Sequence, residues 1–239
     1  MFPGRVYNRG VDSLVTPSLE LRPFAETDVP AMHRIYSDPV VMRYVATGPA
    51  ANLAATERLL NDYAVHQRAH GFSFWGVRER VSGDLIGDAG LYRTPAGEVE
   101  LGYTFGYAWW GRGYATEAAR AWLDAAFGEL ALDEVVALAE PANGASLRVL
   151  EKAGMRRAGE RSAFGRPHVV FRIGRATDFS YQATKHGDVL VSWRGRVVRR
   201  LVGRQAEALL ERVRDAEPAR VQHELARVTG NFKRGNERR

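Results

Sequence analysis

The segment Trp110-Gly-Arg-Gly-Tyr-Ala-Thr-Glu-Ala118 constrains this chain more than any other stretch. It follows a strand-like run, Glu100-Leu-Gly-Tyr-Thr-Phe105, and opens a helical pattern that continues to about Leu130. A strand, a glycine turn and a helix start, in that order, make an anion site. The glycines let the backbone turn tightly and come close to a ligand, and the first helical N–H groups have no partner within the helix. The helix dipole adds roughly half a positive charge at that end. A phosphate-bearing ligand is therefore expected at residues 111–116. The spacing is neither GxxxxGK[ST] nor GxGxxG, which argues against ATPase and dinucleotide-binding readings.

The rest of the chain places this motif in a larger pattern. Ser18–Phe24 alternates as a strand, Thr27-Asp28 can cap a helix through Tyr36, and Ala51–His70 reads as a second helix stopped by Gly71. Strands are expected at Phe72–Val77, Asp84–Tyr92 and Glu98–Phe105, the first two joined by a hairpin-like connector. After the motif helix come a short strand at Asp133–Ala139, a helix from Ser146 to Ala153, and strands near 155–161 and 168–173. The order β-α-α-β-β-β-α-β-α-β-β predicts an α/β (α+β) domain on a mixed sheet rather than a doubly wound repeat. Beyond Gly174 the pattern restarts as a three-strand meander and two amphipathic helices, Gln205–Arg214 and Ala219–Val228. The expected boundaries are an N-terminal arm over 1–17, a main domain over 18–174, and a C-terminal domain over 179–239 whose glycine-broken end reads as a mobile tail.

Composition narrows the classes. The 239 residues include no cysteine, which removes disulfides, thiolate metal sites and a cysteine nucleophile. No apolar run nears the roughly 20 residues needed to span a membrane, and no secretion signal opens the chain, so a cytoplasmic protein with no membrane contact is expected. The formal charge of +6 is uneven. Residues 175–239 hold 15 Lys or Arg against 8 Asp or Glu, whereas residues 1–174 hold 19 against 20. Such asymmetry points either to RNA, DNA or another anionic partner, or to a basic face that docks on the enzyme or a second subunit. Arg194, Arg196, Arg199, Arg200, Lys233 and Arg234 can meet phosphates, with Trp193 and Phe232 for stacking.

Four segments, taken together, resemble a GCN5-related N-acetyltransferase (GNAT) of the RimJ/RimL, ribosomal-protein-acetylating type. They are Leu21-Arg-Pro-Phe-Ala-Glu-Thr-Asp28, Leu85-Ile-Gly-Asp-Ala-Gly-Leu91, Glu100 through Ala118, and Asn143-Gly-Ala-Ser-Leu-Arg-Val-Leu-Glu-Lys-Ala-Gly154. The resemblance covers about residues 18–173 and implies a mostly antiparallel central sheet flanked by helices, with acetyl-CoA as co-substrate and no metal. It implies that Gly111, Arg112, Gly113, Tyr114, Ala115 and Thr116 hold the pyrophosphate, and that Tyr103, Thr104 and Phe105 line the pantetheine arm. Asn143 and Ser146 would sit near the thioester, with Ser146 offering a hydrogen to the sulfur where many members have a tyrosine at the position of Leu150. Residues 179–239 are similar to a small bacterial domain of uncharacterised role.

Acetyl transfer to a neutral amine needs a group that takes a proton, donors for the oxyanion, and a donor for the departing thiolate. Glu100 is the first choice as base. Glu98 shares its strand face by alternation, so one of the two reads as solvated, while Glu160, His168 and a water relay are alternatives. Trp109 and Trp110 flank the cofactor or pack in the core, and Ser146 alternatively caps its helix. Arg43, Tyr44, Phe164 and Arg166 are expected at the acceptor end, without the acidic cluster a polycation needs. A peptide or protein N-terminus, or a small amine, is the expected acceptor. A non-catalytic acyl-CoA sensor or adaptor, or an RNA/DNA-binding protein acting through its basic domain, are the rival readings, and a homodimer is compatible with the sequence.

Overall fold

The computed structural model describes residues 11–174, 179–193, 195–216 and 218–229. Arg194, Phe232, Lys233, Arg234 and the rest of the expected tail lie outside them, as does most of the N-terminal arm. The chain divides into two compact units, Met1–Ala126 with Val135–Arg172, and Phe127–Glu134 with Ile173–Arg239.

The first unit is built on strands β1 (Leu14–Val15), β2 (Leu19–Arg22), β3 (Phe74–Glu79), β4 (Leu85–Arg93), β5 (Val99–Phe105), β6 (Glu134–Ala139), β7 (Arg156–Ala163) and β8 (Arg166–Gly174), with helices α1 (Val29–Tyr36), α2 (Leu53–His70), α3 (Tyr114–Phe127) and α4 (Gly144–Lys152). The sheet order is β1-β2-β3-β4-β5-β6-β8-β7. Neighbours from β1 to β5, and the pair β7–β8, run antiparallel, while β5 and β6 run parallel. The mixed, mostly antiparallel sheet flanked by helices is the expected architecture.

Alternation along β3 assigns the helices to faces. The Phe74 ring lies 5.0 Å from Tyr63 of α2, whereas the next residue, Trp75, meets Trp122 of α3 edge-on at 4.6 Å. Both tryptophans are fully buried, and Trp122 Nε1–H donates to Ala89 O of β4 at 3.0 Å. The large apolar area of the pair fixes α3 to the sheet, and the indole hydrogen bond sets its register. On the other face α1 and α2 share a core of Val29, Met32, Tyr36, Met42 and Leu60.

Local signals explain most boundaries. Asn52 caps α2 through its side chain, accepting from Ala55 N–H at 2.9 Å, and Gly71 ends it in the left-handed conformation at φ 79°. Asp28 does not cap α1 as expected. Its buried carboxylate instead accepts from Ala25 N–H at 3.0 Å and pairs with Arg78 of β3, locking the turn before the helix onto the sheet. The motif helix ends at Phe127, short of Leu130, because Gly128 follows.

The second unit contains the expected meander, β9 (Phe179–Ala183), β10 (Val189–Trp193) and β11 (Arg196–Leu201), in the order β11-β10-β9 and antiparallel. Helices α5 (Arg204–Val213) and α6 (Pro218–Thr229) complete a small core of Phe179, Val189, Val191, Leu201, Ala206, Leu209, Val213 and Leu225. The Gln222 amide bonds both the N–H and C=O of Phe179 at 2.8 Å, which satisfies the end of edge strand β9. Trp193 packs against this core rather than standing free for stacking. Arg200 is held by Asp188 at 3.0 Å, while Arg196 and Arg199 are exposed.

Candidate active site

Strands β5 and β6 are registered through the single pair Glu100↔Val136, and beyond it a groove of about 620 Å³ opens between them. A side chain at Gly102 would strike the Phe74 ring at 2.8 Å, so Glu100, Gly102 and Thr104 face α2. Tyr103 faces the other way and meets α4. The groove therefore pierces the sheet. Its lining includes Gly111 and Gly113–Thr116, Tyr103, Asn143 and Ser146 on the α3/α4 side, and Val41, Tyr44, Val45, Glu100 and His168 on the other.

At the first mouth, Gly111 and Gly113 have φ of 77° and 88°, a region costly for any residue with a Cβ. A Cβ on either would meet nothing within 4 Å, so the conformation demands glycine and the space beside it is open. The helical ladder begins with Glu117 N–H donating to Gly113 O at 3.0 Å, which leaves the preceding N–H groups without a partner in the helical ladder, as at any helix start. Glu117, whose charge would repel a phosphate, has its carboxylate turned to accept from Ser18 N–H at 2.8 Å. Arg112 does not line the groove; it is exposed, with its guanidinium 4.9 Å from the centre of the Trp109 ring. Trp109 and Trp110 both line the groove, and Trp110 also donates from Nε1 to Phe105 O at 2.7 Å, tying down the end of β5. Arg148 and Lys152, four residues apart on α4, are cations that line the groove. Sequence reasoning misses them, although their helical spacing is a usable signal.

Where the two faces meet, Asn143 caps α4, its Oδ1 accepting from Ser146 N–H at 3.1 Å. Ser146 is thus not the cap, and its hydroxyl is released for another task. That hydroxyl lies 2.8 Å from the Tyr103 phenol. Burial pushes Tyr103 up to about 12, partly offset by the serine hydrogen bond. Leu150 lines the groove and presents an apolar side chain where a tyrosine would bring a hydroxyl.

At the second mouth, desolvation holds the Glu100 carboxyl above the ordinary carboxylate range, opposed by the charge of Arg161 and reinforced by Glu98. Glu98 differs. It bonds Arg161 at 2.7 Å and Arg172 at 2.8 Å, and these partners hold it low, so it stays ionised. Glu160 is exposed on β7 opposite Val169 and does not line the groove. His168 does line it, buried, with Nδ1 3.0 Å from Arg166 O. Arg166 binds Glu140 at 2.7 Å, and the Tyr44 phenol donates to Ala142 O at 3.3 Å, so the turn at Val41–Tyr44 is tied across the gap to the loop before α4. Arg43 lies outside the lining with its guanidinium beside the Tyr44 ring. Phe164 stands at the β7–β8 hairpin tip, 67% exposed, its ring 6.1 Å from His168.

One further group is missed by sequence reasoning. Asp88 pairs with Thr104 across β4 and β5 and is 1% exposed. Burial pushes its carboxyl up to about 7, against the pull of the Thr104 and Tyr36 hydroxyls. Among the described residues, its Oδ1 and Tyr36 Oη lack a hydrogen-bond partner of acceptable geometry. A carboxyl in the middle of an apolar strand is the signal that could have found it. Among the described residues, no three His, Asp or Glu side chains gather as a metal site, and no helix is long and apolar enough to cross a membrane.

The sequence family described as an acetyltransferase (GNAT) domain matches residues 18–156. The uncharacterized protein YkkB of Bacillus subtilis is 32% identical over 162 residues, spanning 66% of this chain and 93% of YkkB. A solved acetyltransferase from Agrobacterium tumefaciens superposes with a TM-score of 0.61 at 30% identity, covering 72% of this chain and 98% of that one. At 17% identity the fold alone is shared with the ribosomal-protein-S5-alanine acetyltransferase of Vibrio fischeri, TM-score 0.56, over 68% of this chain and 96% of that one.

Proposed function

This chain belongs to the acetyltransferase (GNAT) family, and from that premise we propose that it moves an acetyl group from acetyl-CoA directly to a primary amine, a peptide N-terminus or a small amine, in the manner of the RimJ/RimL type. It is an acyltransferase, and the family uses acetyl-CoA. One observation carries the finer reading: a single groove joins a glycine-turned helix start on one face of the sheet to a half-buried carboxyl, Glu100, on the other. The phosphates fit the first mouth, where open space beside Gly111 and Gly113 admits a ligand against backbone donors and Arg148 and Lys152 supply charge. The arm fits the gap between β5 and β6.

Within that arrangement each residue has a defined task. Glu100 receives the amine proton, directly or through water, and its raised proton affinity suits a base working near neutral pH. Backbone N–H groups along β5 at the gap stabilise the oxyanion. Ser146 offers its hydroxyl proton to the departing sulfur. The exposed Arg196 and Arg199 support an anionic partner, RNA or ribosomal, for the second unit.

The test is an acetyl-transfer screen over peptides, amino acids, polyamines and aminoglycosides, repeated with Glu100→Gln. Transfer to at least one amine is expected, with kcat lowered roughly 100- to 1,000-fold in the variant while coenzyme affinity holds. The acid limb of the kcat/KM profile, displaced above the usual carboxylate range in the parent, should vanish in the variant. Tight coenzyme binding with no transfer to any amine would instead identify a sensor.

A further inference from the structure

The hydroxyls of Tyr103 and Ser146 face each other across the gap between β5 and α4, and their proton inventory has a consequence. Each carries one proton. Among the described residues, the two acceptors in reach of the Tyr103 phenol are both on Ser146, Oγ at 2.8 Å and the backbone carbonyl at 3.3 Å. Either hydroxyl can donate across the 2.8 Å contact, and the case that matters is the one in which the phenol does. Ser146 Oγ then acts as acceptor toward Tyr103 and keeps its own proton for a third atom. Its backbone N–H is already committed to the Asn143 cap, so the serine backbone and side chain are each fixed by a separate partner.

We propose that Tyr103 is a positioning residue for the leaving-group step: its phenol holds Ser146 Oγ so that the serine proton points into the groove at the departing sulfur. This rests on the reading of the groove as an acetyl-CoA site. As the C–S bond breaks, the electron pair collects on sulfur and the serine donates a hydrogen bond to it. No covalent bond to the protein forms, and the amine proton leaves separately through Glu100. The phenol suits this task because burial keeps it protonated across the working pH range, so its donor role does not switch off. A hydroxyl polarised by a neighbouring donor is itself a stronger donor.

The test needs no acceptor. The chain has no cysteine, so the thiol of bound coenzyme A is the only one in the sample. Its pKa is read by NMR on coenzyme A carbon-labelled beside the sulfur, in the parent, Tyr103→Phe, Ser146→Ala and the double variant, with affinity measured by calorimetry. In the parent the bound thiol titrates below the free coenzyme. Ser146→Ala raises it by about one pH unit, the scale of one hydrogen bond to a charged group, and Tyr103→Phe raises it by part of that. The double variant matches Ser146→Ala, because a residue acting only through the serine has nothing left to act on. If Tyr103→Phe leaves the thiol unmoved while Ser146→Ala shifts it, or if the two shifts add, the positioning role is wrong. If coenzyme A binds and Ser146→Ala moves nothing, the placement of sulfur beside Ser146 fails with it. If coenzyme A does not bind the parent, the reading of the groove itself is overturned.

Discussion

At the mouth proposed for the phosphates the groove offers backbone N–H donors, set by two glycines and one helix start, whereas at the mouth proposed for the acceptor it offers side chains delivered by β5, β8 and the turn at Val41–Tyr44. The first mouth is relaxed. Its positive φ values fall on glycine, and the acidic Glu117 of its helix is turned away to Ser18. Around the second mouth the structure holds stored cost: a desolvated Glu100, a buried Asp88 opposite Thr104 with an oxygen unsatisfied among the described residues, and, beside His168, a phenylalanine at φ 53°. Such features cost fold stability, so this end of the groove is where a trade-off between folding and the proposed acceptor site can be tested. Three experiments probe this contrast.

The largest effect is expected at the relaxed end. Gly113→Val should weaken coenzyme A binding at least about 100-fold by calorimetry, since it removes the left-handed turn and fills the approach to the helix N-terminus. Gly83→Val is the control. Gly83, in the β3–β4 hairpin, has φ 76° and equally open surroundings, so it carries the same backbone strain away from the groove. It should lose stability alone. Equal loss of coenzyme affinity in both would mean that strain, not the phosphate mouth, explains the result.

Within the sheet behind the strained end, where Asp88 is paired with Thr104, Asp88→Asn should stabilise the protein in a pH-dependent way. With its folded pKa near 7 and an unfolded value near 3.9, Asp88 binds a proton more readily when folded. Its favourable contribution is therefore complete below about pH 4 and is lost as pH rises through 7, at about 1.4 kcal/mol for each pH unit between. Melting temperatures should show the variant ahead of the parent at pH 8, with the margin closing toward pH 5. A variant less stable at pH 8 would mean that the carboxylate is satisfied, and the contrast between the mouths would weaken.

The same contrast decides what the amino-acid sequence makes legible. Gly111, Gly113, Tyr114 and Asn143 are legible because backbone geometry at a turn or a helix start is local, so residue type and spacing determine it. The place of Glu100 in the groove lining is legible for a related reason: one strand carries it into the motif. The orientation of Arg112 is not legible in the sequence, because a residue between two glycines faces either way, and here its guanidinium lies over Trp109. The pairing of Tyr103 with Ser146 joins positions 43 residues apart, and that of Asp88 with Thr104 and Tyr36 depends on strand register and helix packing. No periodicity encodes such contacts. In the second unit the turns make the meander legible, but nothing local to Trp193 signals that it shares a core with Val191, Leu201 and Leu209.

The smallest effect is the sharpest test of whether the strained end serves the acceptor. Phe164 and Gly165 form the hairpin turn with φ of 53° and 73°, a conformation for which asparagine followed by glycine is the favoured pair. An L-residue other than asparagine or aspartate gives up roughly 1–2 kcal/mol there, and the phenylalanine ring recovers little by burial because it is two-thirds exposed. Phe164→Asn should then raise the melting temperature by about 2–4 °C for each kcal/mol gained in a unit of this size. The ring should matter only to the acceptor, since it stands beside His168 and away from the glycine turn. For acceptors with an apolar group next to the amine, KM should rise several-fold while kcat and coenzyme affinity stay near the parent values. A more stable enzyme that handles its acceptor worse would show that the hairpin's strain is tied to recognition. If stability falls, or if KM is unchanged for every acceptor the parent uses, Phe164 belongs to the fold and the acceptor mouth ends at His168.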